Sequence, residues 1–237
     1  MRTMTWGVLA AALLAACATE KRSEAAGEAS RDSAARAPGT AGAAGGDTDI
    51  TAGGGELPSG FTGRTDKATA KLADAKYVAA GGAWEITTGP AHILYSPRDT
   101  ASGVYTAAAA IDQLEAPRHP EAYGVFIGGR DLEGAGQQYT YFLVRGGGEY
   151  LVKVRQGDGT RTVIDWKKSD AVPTQDASGT ASYRLAVRVG GDSVRFLVND
   201  RQVAAVAKGA LPTDGVAGLR INHNLHVRVR PVEIKKG

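Results

Sequence analysis

A chain of 237 residues with 43% hydrophobic and 22% charged side chains has an ordinary globular composition. Its single cysteine lies at position 17, which excludes an intramolecular disulfide and a cysteine nucleophile in the region that follows. The formal charge of +3 divides into an acidic stretch, residues 18–59 with four basic and seven acidic side chains, and a mildly basic remainder, residues 60–237 with 23 and 18. So weak a bias, with no aromatic–basic motif, points away from nucleic acid and suits an anionic polymer or surface.

Arg2 precedes an apolar run, Trp6 to Ala16, of about eleven residues, too short for the roughly 20 of a membrane span. The run ends in Leu14-Ala15-Ala16-Cys17, which resembles a bacterial lipobox. The resemblance implies a signal peptide over 1–16, lipidation of Cys17 and a membrane anchor in the cell envelope. Ala18 is not the Asp that commonly retains lipoproteins at the inner membrane, so outer-membrane attachment is expected if the cell is Gram-negative.

Residues 17–59 then read as the lipidated cysteine and a disordered linker. Ile50 and Leu57 are the only large aliphatic residues between Ala18 and Gly60, too few to offset the entropy of ordering the segment. As a coil it reaches roughly 35–40 Å, enough to lift a domain clear of a lipid surface.

From residue 60 onward the pattern changes to short β-like runs between turn residues, and 60–237 is read as one domain. Asp66 to residue 75 is the one candidate helix, with Asp66 as its cap. The Ala-rich run Val104 to Leu114 is read as a strand because turn residues and strands flank it. Tyr123–Ile127, Tyr139–Arg145, Tyr150–Arg155 and Thr160–Trp166 follow at sandwich-like intervals, with Gly157-Asp158-Gly159 as a hairpin turn. Alternation is clearest near the end: Leu185, Val187 and Val189 oppose Arg184, Ala186 and Arg188, and Val194, Phe196 and Val198 share a face. Asn199-Asp200 supplies a two-residue turn, because both residues tolerate the left-handed conformation. Roughly ten to thirteen such strands make an all-β, antiparallel sandwich.

The segment Val194-Arg195-Phe196-Leu197-Val198-Asn199-Asp200-Arg201-Gln202-Val203, followed by Leu211-Pro212-Thr213-Asp214-Gly215-Val216-Ala217-Gly218-Leu219-Arg220, resembles the concanavalin A-like jelly-roll superfamily, with Asp200 in place of the usual turn glycine. Laminin-G-like modules and the 3-keto-disaccharide hydrolase-like domains of bacterial envelope proteins are the relatives it suggests, over roughly residues 80–237. The resemblance implies a jelly-roll β-sandwich and leaves binding, glycoside processing and protein interaction all open.

The chemistry narrows this. A jelly-roll glycosidase of the laminarinase type places Glu-x-Asp-x-x-Glu on one strand, where period-two geometry projects the carboxylates together. The domain's six glutamates, Glu85, Glu115, Glu121, Glu133, Glu149 and Glu233, include none followed by Asp at the second position. Gly-x-Ser-x-Gly, His-Glu-x-x-His and P-loop patterns are absent as well, so no catalytic residue is assigned. On a strand, His223 and His226 would face opposite sides and could not share a metal. Asn222 and Asn224, with His226, could line a sugar site or simply bond backbone at a strand entry. In the loop Gly128–Gly134, Arg130 and Asp131 could form a polar rim, and Asp131 with Glu133 gives two carboxylates towards calcium, too few for a complete site. Tyr139 and Tyr141 share a strand face, which suits a stacking platform for sugar C–H faces or, equally, ordinary sheet packing.

The expectation is a monomeric, lipid-anchored envelope protein displaying a β-sandwich binding module. Carbohydrate is the expected ligand, contacted by Tyr139, Tyr141, Arg130, Asp131, Asn222 and Asn224, and no cofactor is required apart from calcium as a candidate ion. A glycoside-processing enzyme and an envelope protein-interaction module are the alternatives.

Overall fold

The computed structural model describes residues 48–237. The expected signal peptide, Cys17 and the first part of the expected linker lie outside the described residues. Fifteen strands make up the fold: β1 (Thr62–Thr65), β2 (Lys76–Ala80), β3 (Ala83–Thr87), β4 (His92–Ala101), β5 (Tyr105–Gln113), β6 (Ala122–Arg130), β7 (Gln138–Arg145), β8 (Glu149–Gln156), β9 (Gly159–Lys168), β10 (Ala181–Val189), β11 (Ser193–Val198), β12 (Arg201–Ala207), β13 (Gly215–Ile221), β14 (His226–Val229) and β15 (Glu233–Lys236). They form two antiparallel sheets, one in the order β1-β4-β13-β6-β7-β8-β9 and one in the order β12-β11-β10-β5-β14-β3-β2, with β15 also paired to β5. This is the jelly-roll sandwich expected from the sequence.

The alternation does its work at the layer between the sheets. Leu185, Val187 and Val189 of β10 and Val194, Phe196 and Val198 of β11 are all buried there, against Tyr123, Val125 and Ile127 of β6 and Phe142 and Val144 of β7. Each such side chain contributes roughly 1.5–3 kcal/mol by leaving water. The turns behave as their residues require. Asn199 and Asp200 adopt φ of 49° and 63° between β11 and β12, and Gly157 adopts φ 54° between β8 and β9. The Ala-rich run at 104–114 is indeed a strand, β5, which pairs with β10 along its whole length.

A second apolar layer lies on the opposite face of the seven-stranded sheet. Ile93 and Tyr95 of β4, Phe126 of β6, Tyr139, Tyr141 and Leu143 of β7 and Leu151 of β8 pack together there with Leu132. Strands β6 and β7 are therefore buried on both faces, which is why they read as continuous apolar runs.

Two expectations are corrected. The helix over 66–75 is only a 3₁₀ turn, Leu72–Asp74. Asp66 does not cap it; its carboxylate is taken by Arg220, 154 residues away. An Ala-rich segment with no apolar stripe gains little from helix formation, and the ion pair decides its path. Part of the stretch expected to be a disordered linker, residues 48–59, is ordered on the sandwich: the amides of Ala52 and Gly53 donate to the Asp74 carbonyl, the Ile50 amide donates to Asn224 Oδ1, and Leu57 packs on the core. Gly89 fits beneath this strap, since a Cβ there would lie 1.8 Å from the Ile50 carbonyl oxygen.

Candidate functional site

The alternation along β13 sends Ala217, Leu219 and Ile221 into the sandwich, so Arg220 must point to the other face of the seven-stranded sheet. A guanidinium in that apolar layer needs partners. Nη1 and Nη2 of Arg220 donate to Oδ1 and Oδ2 of Asp66 at 2.8 and 2.5 Å, and Nη1 also lies 3.3 Å from the Tyr139 hydroxyl. The guanidinium carbon sits 5.0 Å from the centre of the Tyr141 ring, a cation–π contact. Burial alone would weaken the charged form of Arg220, but the Asp66 carboxylate outweighs it and keeps the group protonated. Burial likewise raises the Asp66 carboxyl, and the hydrogen bonds and charge of Arg220 more than reverse this, leaving it below its ordinary value.

Where β13 ends and β4 and β6 begin, this ion pair forms one wall of a pocket of about 330 Å³. Pro90, Ala91 and Ala70 supply its apolar lining, and Asp49, Lys67, Glu121, Asn222 and His223 supply the remaining polar groups. The His223 ring bridges two carboxylates, Nδ1 lying 2.9 Å from Asp49 Oδ1 and Nε2 2.9 Å from Glu121 Oε1. Asn222 Nδ2 donates to Glu121 Oε2 at 3.1 Å, and Lys67 Nζ lies 3.5 Å from Asp49 Oδ2. Among the described residues, two buried side-chain polar atoms have no hydrogen-bond partner: Arg220 Nε and Asn222 Oδ1. Both belong to residues lining this pocket. A buried polar group left unpaired costs roughly 1–3 kcal/mol, so a donor and an acceptor orphaned together mark a place that a polar ligand can complete.

The residues expected to bind ligand are distributed differently. Tyr139 and Tyr141 do share a face, but they are 1% and 5% exposed, in a row of rings running through Phe126 with centroids 5.1 and 5.7 Å apart. An open stacking platform there is therefore corrected to an internal aromatic layer. The loop after β6 helps to close it: Leu132 packs into the layer, and Arg64 donates to the carbonyls of Leu132 and Gly134. Asp131, at φ 47°, accepts the Gly136 amide at 2.9 Å and so organises its own loop. Arg130 donates to the Asp214 carbonyl, and neither residue lines the pocket. Asn224 clamps the strap, accepting from the Ile50 amide and donating to the Thr48 carbonyl. Of the six expected residues, only Asn222 lines the pocket. His223 and His226 engage different carboxylates, the latter at 2.8 Å from Glu85 Oε1. No cluster of three His, Cys, Asp or Glu side chains suited to a metal ion occurs among the described residues.

Sequence reasoning missed Arg220, Asp66 and Glu121. Arg220 alone left a signal, an arginine alternating with Ala217, Leu219 and Ile221. Asp66 and Glu121 come from loops whose convergence no local pattern encodes.

No protein-family model and no curated protein sequence matches the chain. Solved structures do. The chain is similar to the carbohydrate binding module CBM66 from Bacillus subtilis, with a TM-score of 0.52 at 12% identity over 75% of this chain and 96% of that one. It is also similar to a Bacillus subtilis protein of unknown function with a galectin-like fold, with a TM-score of 0.53 at 10% identity over 74% and 89%. A third similarity is to the GH16 protein of the Bacteroides ovatus mixed linkage glucan PUL in complex with a G4G4G3G product, with a TM-score of 0.51 at 7% identity over 74% and 94%. At these identities the likeness is one of fold.

Proposed function

We propose that this protein is a carbohydrate-binding β-sandwich module, held at the cell envelope by a lipid on Cys17, and that the pocket between Arg220 and Asn222 is its ligand site. The observation that carries the reading is that Arg220 and Asn222, which both line one pocket, each keep a buried polar atom without a hydrogen-bond partner, the donor Nε and the acceptor Oδ1. The pocket volume falls at the lower end of the roughly 300–1,000 Å³ typical of small-ligand sites. That a carbohydrate binding module and a glucan-associated GH16 protein share the fold supports the reading without assigning a ligand.

A binding role fits better than a catalytic one. The three carboxylates of the pocket are all committed, Asp66 to Arg220, Glu121 to His223 and Asn222, and Asp49 to His223 and Lys67. The test is a glycan array probed with the full chain, run beside an assay for sugar release. Retention on glycans without product is the expected result. Product release would replace the module with a glycoside-processing enzyme, and silence in both assays would leave the protein-interaction alternative.

A further inference from the structure

We infer that the pocket at the end of β13 takes a neutral, hydroxyl-rich sugar and discriminates against acidic ones, an inference that rests on the carbohydrate reading above. The hydrogen-bond inventory is the first argument. Arg220 Nε can only donate and Asn222 Oδ1 can only accept, and each is buried without a partner. A hydroxyl group both donates and accepts, so sugar hydroxyls can satisfy both atoms. A carboxylate only accepts, so on an acidic sugar it could serve Arg220 alone and a hydroxyl must still serve Asn222 Oδ1. An ammonium only donates, with the opposite shortfall.

Charge is the second argument. Three carboxylates line the pocket, Asp49, Asp66 and Glu121, and each is already engaged, Asp66 by Arg220, Glu121 by His223, and Asp49 by His223 and Lys67. Arg220, whose side chain is 9% exposed, is held bidentately by Asp66. Lys67 is 70% exposed and turned to Asp49, so it offers an incoming anion only a solvated charge. An acidic sugar entering beside Arg220 would meet the Asp66 carboxylate already in place. The mild positive charge of residues 60–237 as a whole thus does not extend to this pocket.

The apolar wall supplies the third argument. Pro90, Ala91 and Ala70 present C–H surface opposite the polar groups, matching a sugar ring with one apolar face and a hydroxyl-bearing edge.

The experiment uses the full chain in a non-glycosidic detergent and measures binding to dextran, mannan, xylan and mixed-linkage glucan beside alginate and polygalacturonate. At least one neutral polymer should bind, with an affinity that changes less than about 2-fold across a tenfold range of salt, because no net charge is neutralised. Asn222→Ser should weaken that binding about 3- to 10-fold, the size expected for one lost hydrogen bond to a buried partner. Asn222→Ala serves as the second truncation, and both are read only after their melting curves show a folded domain. Tighter binding to alginate or polygalacturonate, falling steeply with salt, overturns the neutral class and leaves the carbohydrate reading standing. Binding to a neutral polymer that ignores both Asn222 variants overturns the pocket as its site. Failure to bind any of the six polymers overturns the inference and the carbohydrate reading together.

Discussion

Arg220 and Asp66, 154 positions apart in the chain, meet as a two-pronged ion pair on the outer face of the seven-stranded sheet, with side chains 9% and 27% exposed. The pair fixes the connection after β1 against β13 and so sets one wall of the pocket. A buried pair of this kind need not be more stable than an apolar substitute, but it tolerates the loss of one partner poorly.

Removing one partner should therefore cost more than removing both. Asp66→Ala leaves a guanidinium buried without its carboxylate and should destabilise the domain by about 3–5 kcal/mol. The double variant Asp66→Ala/Arg220→Met should recover part of that loss, because no charge remains buried. Urea denaturation of both variants checks this; equal losses would show that the pair is solvated in solution.

Stability should fall in acid in two steps with different origins. His92 is fully buried, with Nδ1 donating to the Pro90 carbonyl at 2.9 Å and Nε2 accepting from the Tyr77 hydroxyl at 3.0 Å. Burial lowers its pKa below the ordinary 6.5, so the unfolded chain takes up a proton first. Its influence is absent above that value, and stability declines as pH falls below it, until the ring protonates in the folded protein as well. Asp66 acts lower: its depressed pKa gives stability that is complete above about the ordinary 3.8 and is lost as pH falls through the folded value. Urea midpoints from pH 7.5 downward should show both declines, and Asp66→Asn should shrink the lower one, to which Glu85, Glu149 and Asp176, also held below their ordinary values by hydrogen bonds, contribute the rest.

The strap at 48–57 should matter to stability. Gly89→Ala places a methyl group 1.8 Å from the Ile50 carbonyl oxygen, and neither backbone can yield without parting the Ala52 and Asn224 contacts. Limited proteolysis within 48–57 should accelerate and the melting temperature should fall. Deleting 48–57 should lower it further, through lost contact of Leu57 with the core. Unchanged proteolysis and melting in both variants would mean that the strap contributes nothing in solution.

Tyr141→Ala should report on packing rather than on stacking with ligand. With the ring 5% exposed, its loss should cost about 3–5 kcal/mol, as for other large aromatic truncations in a core. Chemical denaturation reads this directly. A folded variant of native stability would show instead that the aromatic layer opens to solvent.

Local chemistry determined much of this protein without help from the fold. Period-two alternation in 185–189 and 194–198 marks the inward faces of β10 and β11, and Asn199-Asp200 and Gly157-Asp158 mark the turns from β11 to β12 and from β8 to β9, because backbone sterics and side-chain direction act within a few residues. The same rule placed Tyr139 and Tyr141 on one face and was right to do so. It could not say what covers that face. The cover comes from Leu132, in the loop that leads into β7, and that loop is held in place by Arg64 of β1, 68 positions before Leu132. The pocket is further still from local pattern. Asp49, Asp66, Glu121 and Arg220 come together only when the strap, the connection after β1, the entry to β6 and the end of β13 reach one corner of the sandwich. Sequence alone thus determined which residues face inward, a property of the backbone repeat. Tertiary structure decided which outward faces are covered and which charges meet, because the cover depends on where a loop is pinned by a residue 68 positions away and the carboxylates that Arg220, Asn222 and His223 meet lie 101 to 174 positions away in the chain.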